Sequence, residues 1–175
     1  MKVLKMKRNV NLNRIAALLL AAVLGACAAY DGRGIVPGKS TAAEVEQVMG
    51  QPAEKISGAA GDTVWFYPRN PFGRHTYAVS VAPDGRVRGI EQTLTMENMA
   101  RIAADSSTAK DVRLMFGPPY RITRNHMRDR DVWEYRMFNQ IQIPYNLFVQ
   151  YSLDGVVREV LFLRDPSQDI PAPRS

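Results

Sequence analysis

Apolar positions along this chain follow a helical and then an alternating period, and the whole pattern occurs twice. Residues 40–52 and 107–119 are identical at six of thirteen aligned positions, at a constant offset of 67. Further on, Trp65-Phe66-Tyr67 aligns with Trp133-Glu134-Tyr135, and Asp84-Gly85 aligns with Asp154-Gly155. Repetition at this spacing predicts two copies of one structural unit. The offset grows from 67 to 70 along the copies, which indicates short loop insertions within the second copy.

Each copy begins with a short helix. Thr41 and Thr108 are suited to cap the helix, with an acidic residue three positions later, as in a capping box. The apolar stripes at helical spacing are Val45, Val48 and Met49 in the first copy and Val112, Met115 and Phe116 in the second. Gly50 and Gly117, followed by prolines two positions on, end the helices. Two helical turns are too short to be stable alone, so each helix must pack against a sheet.

Three alternating runs follow each helix and predict an antiparallel meander. They cover residues 63–68, 75–82 and 86–93 in the first copy, and residues 131–138, 145–153 and 156–163 in the second. Asp-Gly pairs predict tight two-residue hairpins between the last two strands of each copy. Another helix, capped by Thr95, is predicted over residues 96–103. The fold class is therefore α+β, with two helix-plus-three-stranded units that we expect to form one curved sheet carrying the helices on one face.

Strand alternation assigns the side chains to two faces of this sheet. Glu134 favours water, so its neighbours Trp133 and Tyr135, like Trp65 and Tyr67 in the first copy, are predicted to face the helices as core residues. A mixture of apolar, arginine and glutamine side chains is left on the opposite face, where a protein partner can bind or water can simply cover it. The candidate partner-binding residues on that face are Phe66, Ala78, Glu134, Arg136, Phe148 and Gln150.

The first 26 residues have the layout of a secretory signal peptide. Five basic residues and no acidic residue accompany the apolar run 15–24, which is too short to span a bilayer. Leu24-Gly25-Ala26-Cys27 resembles a lipobox, in which cleavage exposes a cysteine that is then lipidated. Alanine at position 28 implies delivery to the outer membrane. The chain is thus divided into a signal peptide (1–26), a lipid-anchored linker (27–35), two repeats (36–93 and 94–165) and a proline-rich tail (166–175).

The remaining composition argues against several classes of function. Without the signal peptide the chain has 18 basic and 17 acidic residues, so the net charge of +6 gives no reason to expect nucleic-acid binding. Gly38-Lys39-Ser40-Thr41 matches only the end of a phosphate-binding loop, because Arg33 stands where the first glycine would be, so we expect no nucleotide. His75 and His126 lie in different copies without acidic or cysteine clusters, which predicts neither a metal nor a cofactor and no catalytic site.

The combined motifs resemble the BamE family, also called SmpA/OmlA, which comprises small lipoprotein subunits of the outer-membrane β-barrel assembly machine. The likeness is carried by the lipobox and by short motifs in both copies. They are Gly38-Lys39-Ser40-Thr41, Glu44-Val45, Met49-Gly50-Gln51-Pro52 and Trp65-Phe66-Tyr67 in the first copy, and Ser107-Thr108, Asp111-Val112, Phe116-Gly117-Pro118-Pro119 and Trp133-Glu134-Tyr135 in the second. The resemblance implies a non-catalytic protein held at the outer membrane by lipid on Cys27, facing the periplasm. Its partners would be other envelope proteins, including subunits of the assembly machine, in a role in outer-membrane protein assembly or envelope integrity.

Two tandem copies depart from a single BamE unit and resemble the architecture of β-lactamase inhibitor protein. That resemblance implies an alternative, a periplasmic inhibitor or regulator that holds an enzyme on a concave sheet. A third hypothesis is an enzyme such as a wall hydrolase, which would require His75 or His126 to cluster with carboxylates in a pocket. An inhibitor-like groove would require the two sheets to be joined edge to edge.

Overall fold

The computed structural model describes residues 31–168, so the predicted signal peptide, Cys27 and most of the proline-rich tail lie outside the described residues. Three α-helices, eight strands and two single 3₁₀ turns are present in this part of the chain. The helices are α1 (Ala42–Met49), α2 (Met96–Met99) and α3 (Ala109–Phe116). The strands are β1 (Glu54–Ser57), β2 (Thr63–Pro68), β3 (Thr76–Val81), β4 (Val87–Gln92), β5 (Arg121–Asn125), β6 (Arg130–Phe138), β7 (Pro144–Tyr151) and β8 (Val157–Arg164).

The strands form two separate antiparallel sheets. Sheet 1 has the order β1-β2-β3-β4 and sheet 2 the order β5-β6-β7-β8, so the repeat and the α+β class are confirmed. The expectation of one curved sheet built from three-stranded units was wrong, since each sheet has a fourth strand and the two are not joined. Polar residues dominate the missed strands, Glu54-Lys55-Ile56-Ser57 and Arg121-Ile122-Thr123-Arg124-Asn125. Each missed strand lies at a sheet edge, where water can cover polar side chains and the alternation of apolar residues is weak.

Both long helices begin at the predicted capping boxes. The Thr41 amide donates to Glu44 Oε2 at 2.7 Å, and the Glu44 amide donates to Thr41 Oγ1 at 3.3 Å. Thr108 and Asp111 repeat the arrangement at 2.8 and 3.3 Å. The hydrogen bonds from the Thr108 hydroxyl and amide hold the pKa of Asp111 below its ordinary value of 3.8. This stabilisation is therefore present at neutral pH and is lost as the pH falls through the depressed pKa.

The helices pack on the sheets through the predicted aromatic residues. Trp65, Tyr67 and Tyr135 are buried, and Trp133 packs against the same core as Tyr135, which confirms the predicted orientation. The Tyr67 hydroxyl donates to the Gly50 carbonyl at 3.2 Å, and the Tyr135 hydroxyl donates to the Gly117 carbonyl at 3.3 Å. Each tyrosine thus fixes the end of a helix to the central strand beneath it. Burial raises the pKa of Tyr67 to about 12.

Two local predictions need correction. The helix expected over residues 96–103 has only one turn, Met96–Met99, although Thr95 does cap it by accepting from the Asn98 amide. The expected two-residue hairpins have three loop residues: the Ala82 amide donates to the Arg86 carbonyl, and the Ser152 amide donates to the Val156 carbonyl. In both loops the third residue is a glycine with φ near +80°, which the extra residue requires.

The two units contact each other through the end of α3. Gly117, just past that helix, lies against the ring of Phe66 on the face of sheet 1 that points away from α1. On one side of this contact, Arg113 Nε donates to both carboxylate oxygens of Glu54 at 3.0 Å. On the other side, the buried Thr93 hydroxyl donates to the Phe116 carbonyl at 3.2 Å. One helix of the second unit therefore packs on sheet 2 and also covers part of sheet 1.

The segment before α1 runs along β4. The Gly38 amide donates to the Val87 carbonyl at 2.8 Å, and the Val87 amide donates to the Ser40 carbonyl at 2.9 Å. Ile35, which we assigned to the linker, is buried in the core of the first unit. Farther towards the N-terminus, Gly32 lies against the side chains of Ile90 and Met49. The chain therefore becomes part of the folded unit within a few residues of the predicted lipid anchor.

Candidate protein-binding face

The two candidate residues predicted on the open face of sheet 1 are not available to a partner. Phe66 is 0% exposed and Ala78 is 3% exposed, and the two are paired across β2 and β3. Phe66 is covered by Gly117 at the end of α3. Their assignment to a binding face was wrong because the second unit supplies the cover. The sequence contained a signal: the aligned pair in the second copy is Glu134 and Phe148, so only the first copy has two apolar residues there.

The other four candidates lie together on sheet 2. The core side chains of Tyr135, Leu147 and Val149 occupy one face, so the alternate residues of β6 and β7 occupy the other. We call that second face the outer face of sheet 2. Three transverse rows form it, according to the strand register. The rows are Thr123-Val132-Gln150-Glu159, Arg121-Glu134-Phe148-Leu161 and Arg136-Asn146-Leu163.

Glu134 is at the centre of this face and is surrounded by arginines. Glu134 is only 9% exposed. Its Oε2 lies 3.7 Å from Nε of Arg121, and its Oε1 lies 3.7 Å from Nε of Arg136. The guanidinium of Arg136 also stacks on Tyr120, with its Cζ 3.8 Å from the ring centroid. A stacked arginine keeps its planar edge available for an acceptor, and stacking limits the freedom that binding would otherwise remove.

Two buried polar atoms on the outer face have no hydrogen-bond partner within residues 31–168. They are Nε of Arg136 and Oε1 of Gln150, whose residue is 7% exposed. An unmade hydrogen bond in a buried position costs about 1–3 kcal/mol, so such groups are uncommon in folded chains. A partner that shifts these side chains slightly can recover that energy by supplying an acceptor and a donor.

The first unit adds a further arginine at the edge of this face. Arg74, in the loop between β2 and β3, donates to the Tyr145 carbonyl at 3.0 Å and to Asn146 Oδ1 at 3.1 Å. It also forms a buried ion pair with Asp165. Burial, together with the nearby charge of Arg136, lowers the pKa of Arg74, whereas Glu134 opposes the shift. The positive charges of the two arginines therefore reinforce one another at this edge.

Arginines outnumber acidic residues across the face and its edge. The paired groups there include Arg128 and Arg130, which both contact Glu159 Oε2, at 2.8 and 3.1 Å. The arginines are Arg74, Arg121, Arg128, Arg130 and Arg136, and the acidic residues are Glu134, Glu159 and Asp165. The excess positive charge, with Phe148 and Leu161 in the middle row, suits an acidic protein surface with an apolar centre.

The described residues do not bring catalytic groups together. His75 contacts the rings of Tyr77 and Phe138 at centroid distances of 6.2 and 5.4 Å, and His126 is exposed on the turn between β5 and β6. Burial and the charge of Arg69 lower the pKa of His75. Over residues 31–168 there is no group of three histidine, cysteine or acidic side chains that could hold a metal ion.

The residues of the phosphate-loop-like motif also have structural roles. Ser40 is nearly buried and its hydroxyl accepts from the Val36 amide at 3.0 Å, while Thr41 caps α1. The backbone reaches this cap through a turn at Gly38, whose φ is +77°.

Comparisons with known proteins add little to this geometry. No family model matches the chain, and no curated protein matches it. Among solved structures, a DUF4309 family protein, YjgB from Bacillus subtilis, has 18% sequence identity and a TM-score of 0.30, over 75% of this chain and 83% of that one. A likeness of that size carries no inference about function, so the resemblance to BamE stays a prediction from the sequence motifs.

Proposed function

We propose that this protein is a non-catalytic lipoprotein of the outer membrane that holds a protein partner on the outer face of sheet 2. The lipid would be attached to Cys27, with the folded units in the periplasm. The proposed role is in outer-membrane protein assembly or envelope integrity, and subunits of the β-barrel assembly machine are the first partners to test. The signal-like first 26 residues, the lipobox and the BamE-like motifs support the location and role.

The observation that carries the binding proposal is a difference between two related faces. Each unit has one sheet face turned away from its own helix. In sheet 1 the end of α3 covers this face at Phe66, whereas in sheet 2 the equivalent face holds arginines around Glu134 and the half-buried Phe148. The duplication therefore provides one face for joining the units and leaves the other for a partner.

The structure lacks the geometry that the inhibitor-like alternative requires. It called for two sheets joined edge to edge into one groove, and the sheets are separate. No other feature of the described residues favours it, so it enters the test below only as a contrary outcome.

Reversing the charge of Arg136 should strongly reduce partner capture. In a purification of the tagged protein from crosslinked, gently solubilised envelopes, we expect Arg136→Glu to recover about tenfold less assembly-machine subunit than wild type. A desolvated like charge costs about 1.4 kcal/mol or more, which corresponds to that factor. The exposed Arg121→Glu should have a smaller effect of the same sign. Arg101→Glu, on the exposed turn after α2, is the matched control and should leave recovery unchanged.

Three results would contradict the proposal. Equal recovery with Arg136→Glu and Arg101→Glu, both shown to be folded by circular dichroism, would mean that the partner does not bind the outer face. Undiminished recovery with Cys27→Ala would remove the lipid anchor from it. Recovery of one soluble periplasmic enzyme instead of assembly subunits would favour the inhibitor-like alternative.

A further inference from the structure

Two loops from different units lie side by side at one end of the molecule. They are residues 69–75, between β2 and β3, and residues 139–143, between β6 and β7. Arg74 in the first loop donates to the Tyr145 carbonyl just beyond the second, and His75 packs on Phe138 just before it, at 5.4 Å between centroids. We call this end of the molecule the loop end.

Each loop presents a large apolar side chain to solvent. Phe72 is 99% exposed and Ile141 is 74% exposed. The loops themselves are held in place: the Gly73 amide donates to the Arg69 carbonyl at 2.9 Å, and Asn139 Oδ1 accepts from the Ile141 amide at 3.1 Å. A single exposed apolar residue is ordinary, but two on adjoining, hydrogen-bonded loops form a patch that can insert into an apolar medium.

The start of the described chain approaches the same end. From Ser40 backwards the chain follows β4 from Val87 to Ile90, towards the strand end that borders the loop of residues 69–75. Gly32 lies against Met49, the last residue of α1. Cys27 is four residues before Asp31, a distance that an extended chain covers in about 14 Å at most. Lipid on Cys27 would therefore place the bilayer close to the loop end.

The charges at the loop end are suited to lipid headgroups. Arg33, Arg69 and Arg164 lie there with Asp31, so arginines outnumber acidic residues, while Arg74 and Asp165 form a buried ion pair that adds no net charge. Positive side chains near a bilayer are attracted to anionic headgroups, and Phe and Ile side chains favour the boundary between headgroups and acyl chains.

We propose that Phe72 and Ile141 insert into the bilayer beside the lipid on Cys27. The protein would then contact the membrane through the lipid and two loops instead of through the lipid alone. The inference deepens the proposed function and rests on its lipid anchor. It also fixes the orientation of the binding face. The row Arg136-Asn146-Leu163 is next to the loop end and the row with Gln150 is farther away, so the outer face of sheet 2 would rise from the membrane surface.

Tryptophan fluorescence on vesicles tests this contact. Residues 27–175 contain a single thiol, which can be coupled to a maleimide lipid in vesicles containing anionic lipid, so that the anchor is present in every sample. Phe72→Trp and Ile141→Trp should each add emission that shifts to the blue on vesicles and is quenched about twofold by brominated acyl chains, since an inserted side chain reaches about 5–10 Å into the boundary. The native Trp65, which is buried, and Trp133, which is half-buried against the core of sheet 2, are present in every variant and give a common background for subtraction.

Met127→Trp is the matched control. Met127 is 98% exposed, as Phe72 is, but it lies on the turn between β5 and β6 at the opposite end of sheet 2. We expect its added emission to be the same on vesicles and in water. The proposal is overturned if the indole at position 72 is quenched no more than the indole at position 127. It is also overturned if Phe72→Ser abolishes a dimer of the vesicle-free protein in sedimentation, because a second copy would then occupy the patch.

Failure of the anchor is measured separately. Mass spectrometry of the protein purified from its own membranes shows whether Cys27 carries lipid. Absence of lipid on Cys27 would contradict the proposed location. Unquenched fluorescence with the coupled lipid in place would contradict only the proposed insertion of the loops.

Discussion

Replacing Gly117 by alanine should lower the free energy of unfolding by about 4 kcal/mol. The residue has φ +79° and ψ −160°, a region that only glycine enters readily, and holding a residue with a side chain in it costs about 1–3 kcal/mol. The added Cβ would also lie 2.5 Å from Cδ1 and 2.7 Å from Cγ of Phe66, which is closer than carbon atoms approach. Forcing the ring away adds an overpacking cost of about 1–3 kcal/mol. Denaturant unfolding of the purified protein measures the total.

The repeat provides the control for this prediction. Gly50 has nearly the same conformation, φ +81° and ψ −166°, but nothing lies within 4 Å of a Cβ placed there. Gly50→Ala should therefore cost only the conformational part, about 2 kcal/mol. Equal effects of the two substitutions would show that the contact between Gly117 and Phe66 does not join the units.

The second large effect is expected from Arg74→Met, at about 3–5 kcal/mol. Arg74 and Asp165 form an ion pair with side-chain exposures of only 14% and 7%. Removing the arginine leaves a buried carboxylate without its counter-charge and removes the donor to the Tyr145 carbonyl, and both losses are costly. The apolar part of the side chain is kept by methionine, so the change reports on charge and hydrogen bonding. Thermal unfolding at neutral pH is the measurement.

Arg33→Met is the exposed counterpart. Arg33 also pairs with an aspartate, Asp31, but its side chain is 87% exposed, so we expect a change within about 0.5 kcal/mol. A similarly small change for Arg74→Met would mean that the first unit's loop is not held to sheet 2 by this pair.

The local elements were predictable from the sequence because their signals are local. Thr41 with Glu44 and Thr108 with Asp111 place the start of each helix within four residues, and glycine followed by proline places the end. The strand β2 was predicted with its exact bounds, since β-branched and aromatic residues run from Thr63 to Tyr67 between Gly61-Asp62 and a proline-containing turn. Edge strands β1 and β5 were missed because they bury few side chains and so show little apolar alternation.

The relation between the units was not predictable in the same way. Whether two sheets join at an edge depends on contacts between residues that are far apart in the sequence, such as Arg113 with Glu54 and Gly117 with Phe66. The same long-range packing explains why Phe66 and Ala78 were placed on an open face. For Glu134, Arg136, Phe148 and Gln150, alternation was sufficient to put all four on one face of sheet 2, and it needed no knowledge of the other unit.

The most direct test of partner binding on the outer face of sheet 2 is photo-crosslinking in living cells, with a photoreactive amino acid at position 148. Position 122 is the control, because Ile122 is an exposed apolar residue on the neighbouring part of the same sheet whose side chain alternates to the opposite face. We predict a discrete crosslink to an envelope protein, first of all an assembly-machine subunit, from position 148 and none from position 122. Crosslinks from position 122 alone, or the same products from both positions, would contradict the proposed binding face.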